Sequence, residues 1–205
     1  MPDAFNPASS APFSDELLDW YDANAATLPW RKFQTDPYRV WLSEIMLQQT
    51  QVPRVLPKYK EFLKEFPTFE ALAKASDKKL LKVWSGLGYW RRAKYLKESA
   101  KKFHTVDPKD PKALETLPGI GPYTARAVAC FAFNKCEPFI DTNIRRVYLH
   151  FFFPPSTSSG QAAKKVSDKE ILAIAKKVPA SLEWYYALFD YGAIVLKDKT
   201  INKRS

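Results

Sequence analysis

The stretch Leu117-Pro118-Gly119-Ile120-Gly121-Pro122-Tyr123-Thr124-Ala125-Arg126-Ala127-Val128 decides the fold, together with Ile140-Asp141-Thr142-Asn143 one helix length further on. Two glycines separated by one apolar residue let a tight backbone turn press its N–H groups against a phosphate. Pro122 then starts a helix whose positive end faces the same way. A turn of this kind between two helices is a device for gripping a nucleic-acid backbone. Asp141, ahead of the next helix, is a candidate for chemistry on whatever that grip presents.

Outward from this turn, apolar residues recur at helical spacing almost throughout. Ser14 reads as the cap of a helix carrying Leu17, Leu18, Trp20 and Tyr21. Asp36-Pro37 reads as cap and first position of a helix running to about Thr50. Pro53 opens another that ends near Phe66-Pro67, and Thr68 and Ser76 cap two short ones. Tyr89 to Phe103 forms a strongly basic helix, and Asp110-Pro111 starts the one that leads into the glycine turn. Beyond it, helices are expected near Pro122 to Asn134, Thr142 to Phe152, Ser167 to Val178 and Ser181 to Leu196. No sustained alternation marks a strand, so the expected fold class is all-α. Pro154 to Lys165 reads as a loop, and residues 1–12 and 197–205 as frayed ends.

With 205 residues the chain can build a real core without a metal or disulfide staple. Its 32 basic residues against 22 acidic ones give a formal net charge of +10, and the pI near 9.5 points to a polyanionic partner. Cys130 and Cys136 lie near apolar residues; they suit a reducing cytosol and exclude a disulfide framework or a four-cysteine metal site. His104 and His150 have no partners at metal-ligand spacing, so no metal is expected. There is no Gly-x-x-x-x-Gly-Lys phosphate loop and no Gly-x-Ser-x-Gly elbow. Without a leader pattern or a run of roughly 18 apolar residues, the expected location is cytoplasmic, nucleoid-associated in a bacterium, with no membrane partner.

The helical neighbours of Glu44 are Val40, Trp41, Leu47 and Gln48, three of them apolar. Its carboxyl is either an edge group in water or held in a poorly solvated site, where burial would raise its pKa toward that of a general acid. Gln48-Gln49-Thr50 reads equally as polar punctuation. Asp141 is expected to cap the helix from Thr142, which holds it ionised and suits it to stabilise positive charge. Asn143 orders it, contacts phosphate, or is a tolerated polar residue. Tyr123 is a partly buried aromatic or a site group, and Arg126 a phosphate contact or a solvated charge. The absence of lysine at position 123 argues against a Schiff-base nucleophile. Gly86-Leu87-Gly88-Tyr89-Trp90-Arg91-Arg92-Ala93-Lys94 offers a tight turn, two rings able to enter a base stack, and three cations for the adjacent phosphates. A hairpin with core aromatics and a solvated basic face would read the same way. In Leu28-Pro29-Trp30-Arg31, Trp30 reads as core, while Arg31 can reach a cleft.

Taken in order, these segments resemble the MutY-type adenine DNA glycosylases of the endonuclease III superfamily. The resemblance rests on Leu-Pro-Trp-Arg at 28–31, Asp-Pro-Tyr-x-Val-Trp-Leu-Ser-Glu-Ile-Met-Leu-Gln-Gln-Thr at 36–50 and Gly-Leu-Gly-Tyr at 86–89. Leu-Pro-Gly-Ile-Gly-Pro-Tyr-Thr at 117–124 and Asp-x-Asn at 141–143 complete it. It implies a helix-hairpin-helix glycosylase fold with two helical lobes: a six-helix barrel over 28–131, and a second lobe from 1–27 and 132–205, the site lying in the cleft between them. It implies that Glu44 protonates a flipped adenine, that Asp141 stabilises the sugar cation, and that Tyr123 hydrogen-bonds the carboxylates. Arg31, Trp30 and Tyr186 would line the base pocket. Gln48, Gln49, Thr50, Leu87, Gly88, Tyr89, Arg91, Arg92, Gly119, Gly121, Tyr123, Arg126 and Asn143 would face the DNA, with Gln49 and Tyr89 as wedges.

Three departures stand out. The family commonly carries four cysteines after its last helix, binding an iron–sulfur cluster, where this chain has Val195-Leu196-Lys197-Asp198-Lys199; no cofactor is expected. The length leaves no room for the further domain that recognises 8-oxoguanine. Tyr186 stands where the family commonly has Glu or Gln. The implied activity is a monofunctional, monomeric base-excision glycosylase removing adenine mispaired with 8-oxoguanine or guanine from duplex DNA. The alternatives are a mismatch thymine or uracil glycosylase and a non-catalytic helix-hairpin-helix DNA-binding protein.

Overall fold

The computed structural model describes residues 10–33, 36–153, 166–178 and 180–197. The expected loop Pro154 to Lys165 and most of the expected frayed ends lie outside them. The described residues form eleven α-helices and no strand, as the periodicity predicts. They divide into two compact units, one from Thr27 to Cys136 and the other from the residues up to Ala26 with those from Glu137 onward. The second crossing between units thus falls at Cys136, five residues beyond the 131 of the sequence reading.

In the first unit, α2 (Pro37–Leu47) begins at an Asp36 side chain that accepts the N–H groups of Tyr38 and Arg39, with Pro37 in the first turn. Thr68 and Ser76 cap α4 (Phe69–Ala73) and α5 (Asp77–Trp84), and Asp110 caps α7 (Pro111–Leu114). These caps form where expected because each joins residues only two or three apart. Around α2, with α3 (Val52–Glu65), α6 (Arg91–Lys102) and α8 (Pro122–Phe133), one core gathers Trp41, Leu42, Met46, Tyr59, Phe62, Leu96 and Val128. Two boundaries differ from expectation for one reason. Gln49 and Tyr89 have φ of 55° and 45°, the left-handed region, so α2 stops at Leu47 and α6 starts only at Arg91.

In the second unit, α1 (Ser10–Asn24) starts four residues ahead of Ser14, correcting that cap. Phe13 packs on Phe151, Phe152 and Trp184, joining α1 to α9 (Thr142–Phe152) and α11 (Leu182–Ile194). Ser167 and Glu170 form a capping box on α10 (Asp168–Ala175), which Arg145 of α9 ties down through Asp168 and the Val166 carbonyl.

Candidate active site

Eight of the nine positions from Tyr38 to Met46 of α2 are buried, all but Arg39, and Glu44 is among them at 8% exposure. The Tyr123 hydroxyl, in the first turn of α8, donates to Glu44 Oε2 at 3.2 Å. Two residues 79 positions apart are thereby brought together as a carboxyl and a phenol, the pair that the motifs named separately.

The hairpin that delivers Tyr123 is held from beneath. Leu117 and Ile120 are buried, and Ser99 Oγ of α6 donates to Pro118 O at 2.6 Å. Gln48 Nε2 donates to Thr124 Oγ1 at 3.1 Å, tying the end of α2 to the hairpin. Its two glycines have different reasons. Gly119 has φ +77°, and a Cβ there would come within 2.9 Å of Tyr95 Cβ. Gly121, the N-cap of α8, has an ordinary φ of −92°, and a Cβ there would meet nothing within 4 Å. Nothing inside the protein demands glycine at 121; the open space in front of it admits an outside group to the helix N-terminus.

Beside the hairpin, the 48–50 and 86–89 turns each carry a non-glycine residue in the left-handed region, Gln49 and Tyr89. Tyr89 and Trp90 are among the most exposed large hydrophobic side chains, at 64% and 62%. Arg92, expected at the phosphates, turns its guanidinium onto the protein. Its Nη1 donates to the carbonyls of Ile45, Met46 and Gln48, and its Nη2 to Thr50 Oγ1 at 2.9 Å and Leu87 O at 2.8 Å. The guanidinium is drawn inward because the last carbonyls of α2 lack helical partners and attract a cation. Burial lowers its pKa, an effect that nearby Tyr89 opposes. Thr50 likewise turns inward, donating to Leu87 O at 3.2 Å.

In the other unit, Asp141 is the N-cap of α9, with Oδ1 accepting the Ile144 N–H at 2.7 Å. Asn143 reaches Asp141 Oδ2 at 3.4 Å and accepts from Arg146 at 3.2 Å. The turn is seated on α11, where a Cβ at Gly192 would lie 2.6 Å from Asn143 O. The Tyr185 hydroxyl accepts the Phe139 N–H and donates to Glu137 O, and its ring stacks on Phe139 at 4.0 Å. Burial pushes this phenol up to about 12, partly offset by the Phe139 N–H.

Residues 42–173 match the family described as HhH-GPD superfamily base excision DNA repair protein. The chain belongs to that superfamily. Adenine DNA glycosylase of Mycolicibacterium smegmatis is 40% identical over 187 residues, covering 88% of this chain and 62% of that protein. The Buchnera aphidicola protein of the same name is 36% identical over 188 residues, covering 89% and 52%. The chain therefore spans less than two thirds of these curated relatives. A thermostable thymine-DNA glycosylase superposes with a TM-score of 0.75 at 28% identity, covering 92% of this chain and 88% of the other.

Within this HhH-GPD protein, the remaining sequence-named residues fall as follows. Trp30 is 6% exposed, with its ring edge-on to Tyr59 at 5.3 Å, the core position that its sequence context suggested. Arg31 is half-buried, in the short helix over Pro29–Phe33. Arg126 pairs with Glu115 at 3.5 Å and donates to Pro122 O. Tyr186 is buried in α11, and Arg91 is exposed at the start of α6. Leu87 is buried beneath its turn, while Gly88 is exposed and accepts from Trp84 Nε1 at 3.0 Å.

One expectation is corrected: Cys130 and Cys136 form a disulfide. Asn134 ends α8 in the left-handed region, and the N–H groups of Asn134 and Lys135 fold back on the Cys130 and Ala129 carbonyls. This reversal brings the two Cα atoms to 4.1 Å. Among the described residues no three His, Cys, Asp or Glu are grouped to hold a metal ion, so they do not fit a four-thiolate iron–sulfur cluster. None of the described helices is long and apolar enough to cross a membrane. Sequence reasoning missed Asp190, a buried carboxylate of α11 that accepts the Ala26 N–H at 2.9 Å; an acid among aromatic residues gave no signal of that partner.

Proposed function

We propose that this protein is a monofunctional DNA N-glycosylase that hydrolyses the N-glycosidic bond of adenine mispaired with 8-oxoguanine or guanine in duplex DNA. The observation that carries the reading is the hydrogen bond from Tyr123 to the buried Glu44. An acid withdrawn from water and aimed by a phenol suits delivery of a proton to a base. The adenine is flipped out of the stack because its reacting atoms are inaccessible within it. Glu44 donates a proton to N7, the bond between N9 and C1′ breaks with its electron pair going to the base, and positive charge develops on the sugar. Asp141, held by backbone and side-chain N–H groups, stabilises that charge, and water adds its oxygen to C1′ while its proton passes to the Glu44 carboxylate, restoring the acid and leaving an abasic site.

Duplex DNA is the partner, bound by a monomer. The glycine turn receives a phosphate at Gly121, Arg91 adds a second phosphate contact, and Gln49 and Tyr89 enter the disrupted stack. The names of the relatives support adenine as the base. A second reading, excision of mismatched thymine or uracil, draws on the likeness to a thymine-DNA glycosylase and on Tyr186. Duplexes with A opposite 8-oxoguanine, A opposite G, T opposite G and U opposite G, followed by alkali, decide between them. Cleavage of the adenine strands alone is expected. Cleavage confined to the T or U strands would install the second reading, and none at all would leave a DNA-binding protein. The reaction proceeds without iron; stoichiometric iron in the purified active protein would overturn that.

A further inference from the structure

We propose that Arg92 is a positioning residue that sets Gln49 and Tyr89 in the geometry with which they part the base stack. The inference rests on the reading that these two side chains enter the duplex. Each turn carries a left-handed residue that is not glycine, Gln49 in one and Tyr89, after left-handed Gly86 and Gly88, in the other. Arg92 stands between them. One nitrogen, Nη1, takes the C-terminal carbonyls of α2 and Gln48 O, next to Gln49. The other, Nη2, takes Thr50 Oγ1, Leu87 O and, at 3.4 Å, Gly88 O, next to Tyr89. Thr50 closes the circuit by donating to Leu87 O, and Trp84 Nε1 donates to Gly88 O at 3.0 Å. The guanidinium carbon also lies over the Tyr89 ring, 5.5 Å from its centroid, and 5.4 Å from that of Trp84.

A planar group with donors spread on a rigid fork can satisfy both turns at once; an ammonium on a flexible stem offers a compact point charge and cannot. The cation over Tyr89 orients its ring from one side while the residue stays 64% exposed. A phosphate-binding arginine would keep its donors toward solvent, whereas both terminal nitrogens here donate to the protein's own carbonyls and to the Thr50 hydroxyl.

The test compares Arg92→Met, Arg92→Lys and Tyr89→Ala on a duplex carrying 2-aminopurine at the mispaired adenine position. It reads fluorescence of the saturated complex, the slope of log binding constant against log salt, and single-turnover excision. Both Arg92 variants are expected to lose at least fivefold in unstacking signal and tenfold in excision rate, with the salt slope unchanged. If Arg92 bound phosphate, Arg92→Met would lower the slope by about 1 and Arg92→Lys would restore it; that result overturns the proposal, as does a full unstacking signal in both variants. Should Arg92→Met fail to fold by circular dichroism, Thr50→Val carries the test. It removes only the hydroxyl between Arg92 and Leu87, and a several-fold loss of unstacking at constant salt slope is expected; an unchanged signal would overturn the proposal. An unchanged signal in Tyr89→Ala would instead reject the wedge reading itself, whatever the Arg92 variants do.

Discussion

Glu44 and Asp141 carry the same functional group in contrasting surroundings. Around Glu44, α2 buries Val40, Trp41 and Ile45, and a neutral phenol supplies a hydrogen bond. Around Asp141, the backbone opens into a helix N-terminus, and the carboxylate accepts an amide N–H of the first turn. A carboxyl deprived of water is costly to charge, and one aimed at helix N–H groups is stabilised in its charged form. The difference is what the proposed mechanism uses, with Glu44 as the proton donor and Asp141 as the stabiliser of charge.

The contrast is broken most directly at Glu44. In Glu44→Gln, base release is expected to fall by about 10²–10⁴ while duplex binding, measured by fluorescence anisotropy, stays near the native value. Normal single-turnover excision would remove Glu44 from the proposed role. At Asp141 two substitutions separate charge from capping. Asn keeps the cap and removes the charge, so Asp141→Asn should lose ~10²–10³ in rate with little change in stability. Asp141→Ala should add a loss of about 1 kcal/mol in chemical denaturation. An active Asp141→Asn enzyme would reduce the residue to its cap.

The phenol bound to the segment leading into Asp141 also titrates. Because burial raises Tyr185 from 10 to about 12, its contribution to stability is complete below pH 10 and is lost as pH rises toward 12. The native protein should therefore lose about 2 kcal/mol more across that window than Tyr185→Phe, read from urea midpoints. Equal losses would show that this phenol is not what alkali attacks. Tyr123→Phe sharpens the Glu44 side: with the hydroxyl gone, a rate loss of about tenfold is expected, the size of one hydrogen bond to an ionisable group. The smallest effect belongs to Arg91→Gln, which should lower the salt slope of duplex binding by about 1 and leave the excised base unchanged. A switch in the base removed would contradict the assignment of Arg91 to phosphate.

By itself the sequence determined what acts over a few residues. The caps at Asp36, Thr68, Ser76, Asp110, Asp141, Ser167 and Ser181 all form, because a cap needs only a side-chain oxygen and an N–H two or three positions on. Helical spacing of apolar residues carried the all-α class, and the Pro-Gly-Ile-Gly-Pro run carried the hairpin. The early stop of α2 and late start of α6 escaped it, since Gln49 and Tyr89 are left-handed without being glycine and Arg92 binds the residues beside them. Tertiary structure alone decided that Glu44 is buried rather than at a rim, since amphipathic spacing allowed both and only the packed α8 brings Tyr123 to it. It also decided Arg92. A basic residue at the start of a helix reads as a solvent-facing cation, and only the assembled fold brings the last carbonyls of α2, 44–47 residues away, close enough to turn it inward. Local bonds are written into neighbouring residues, whereas the partners of a buried polar group are chosen by which distant surfaces the core has brought together.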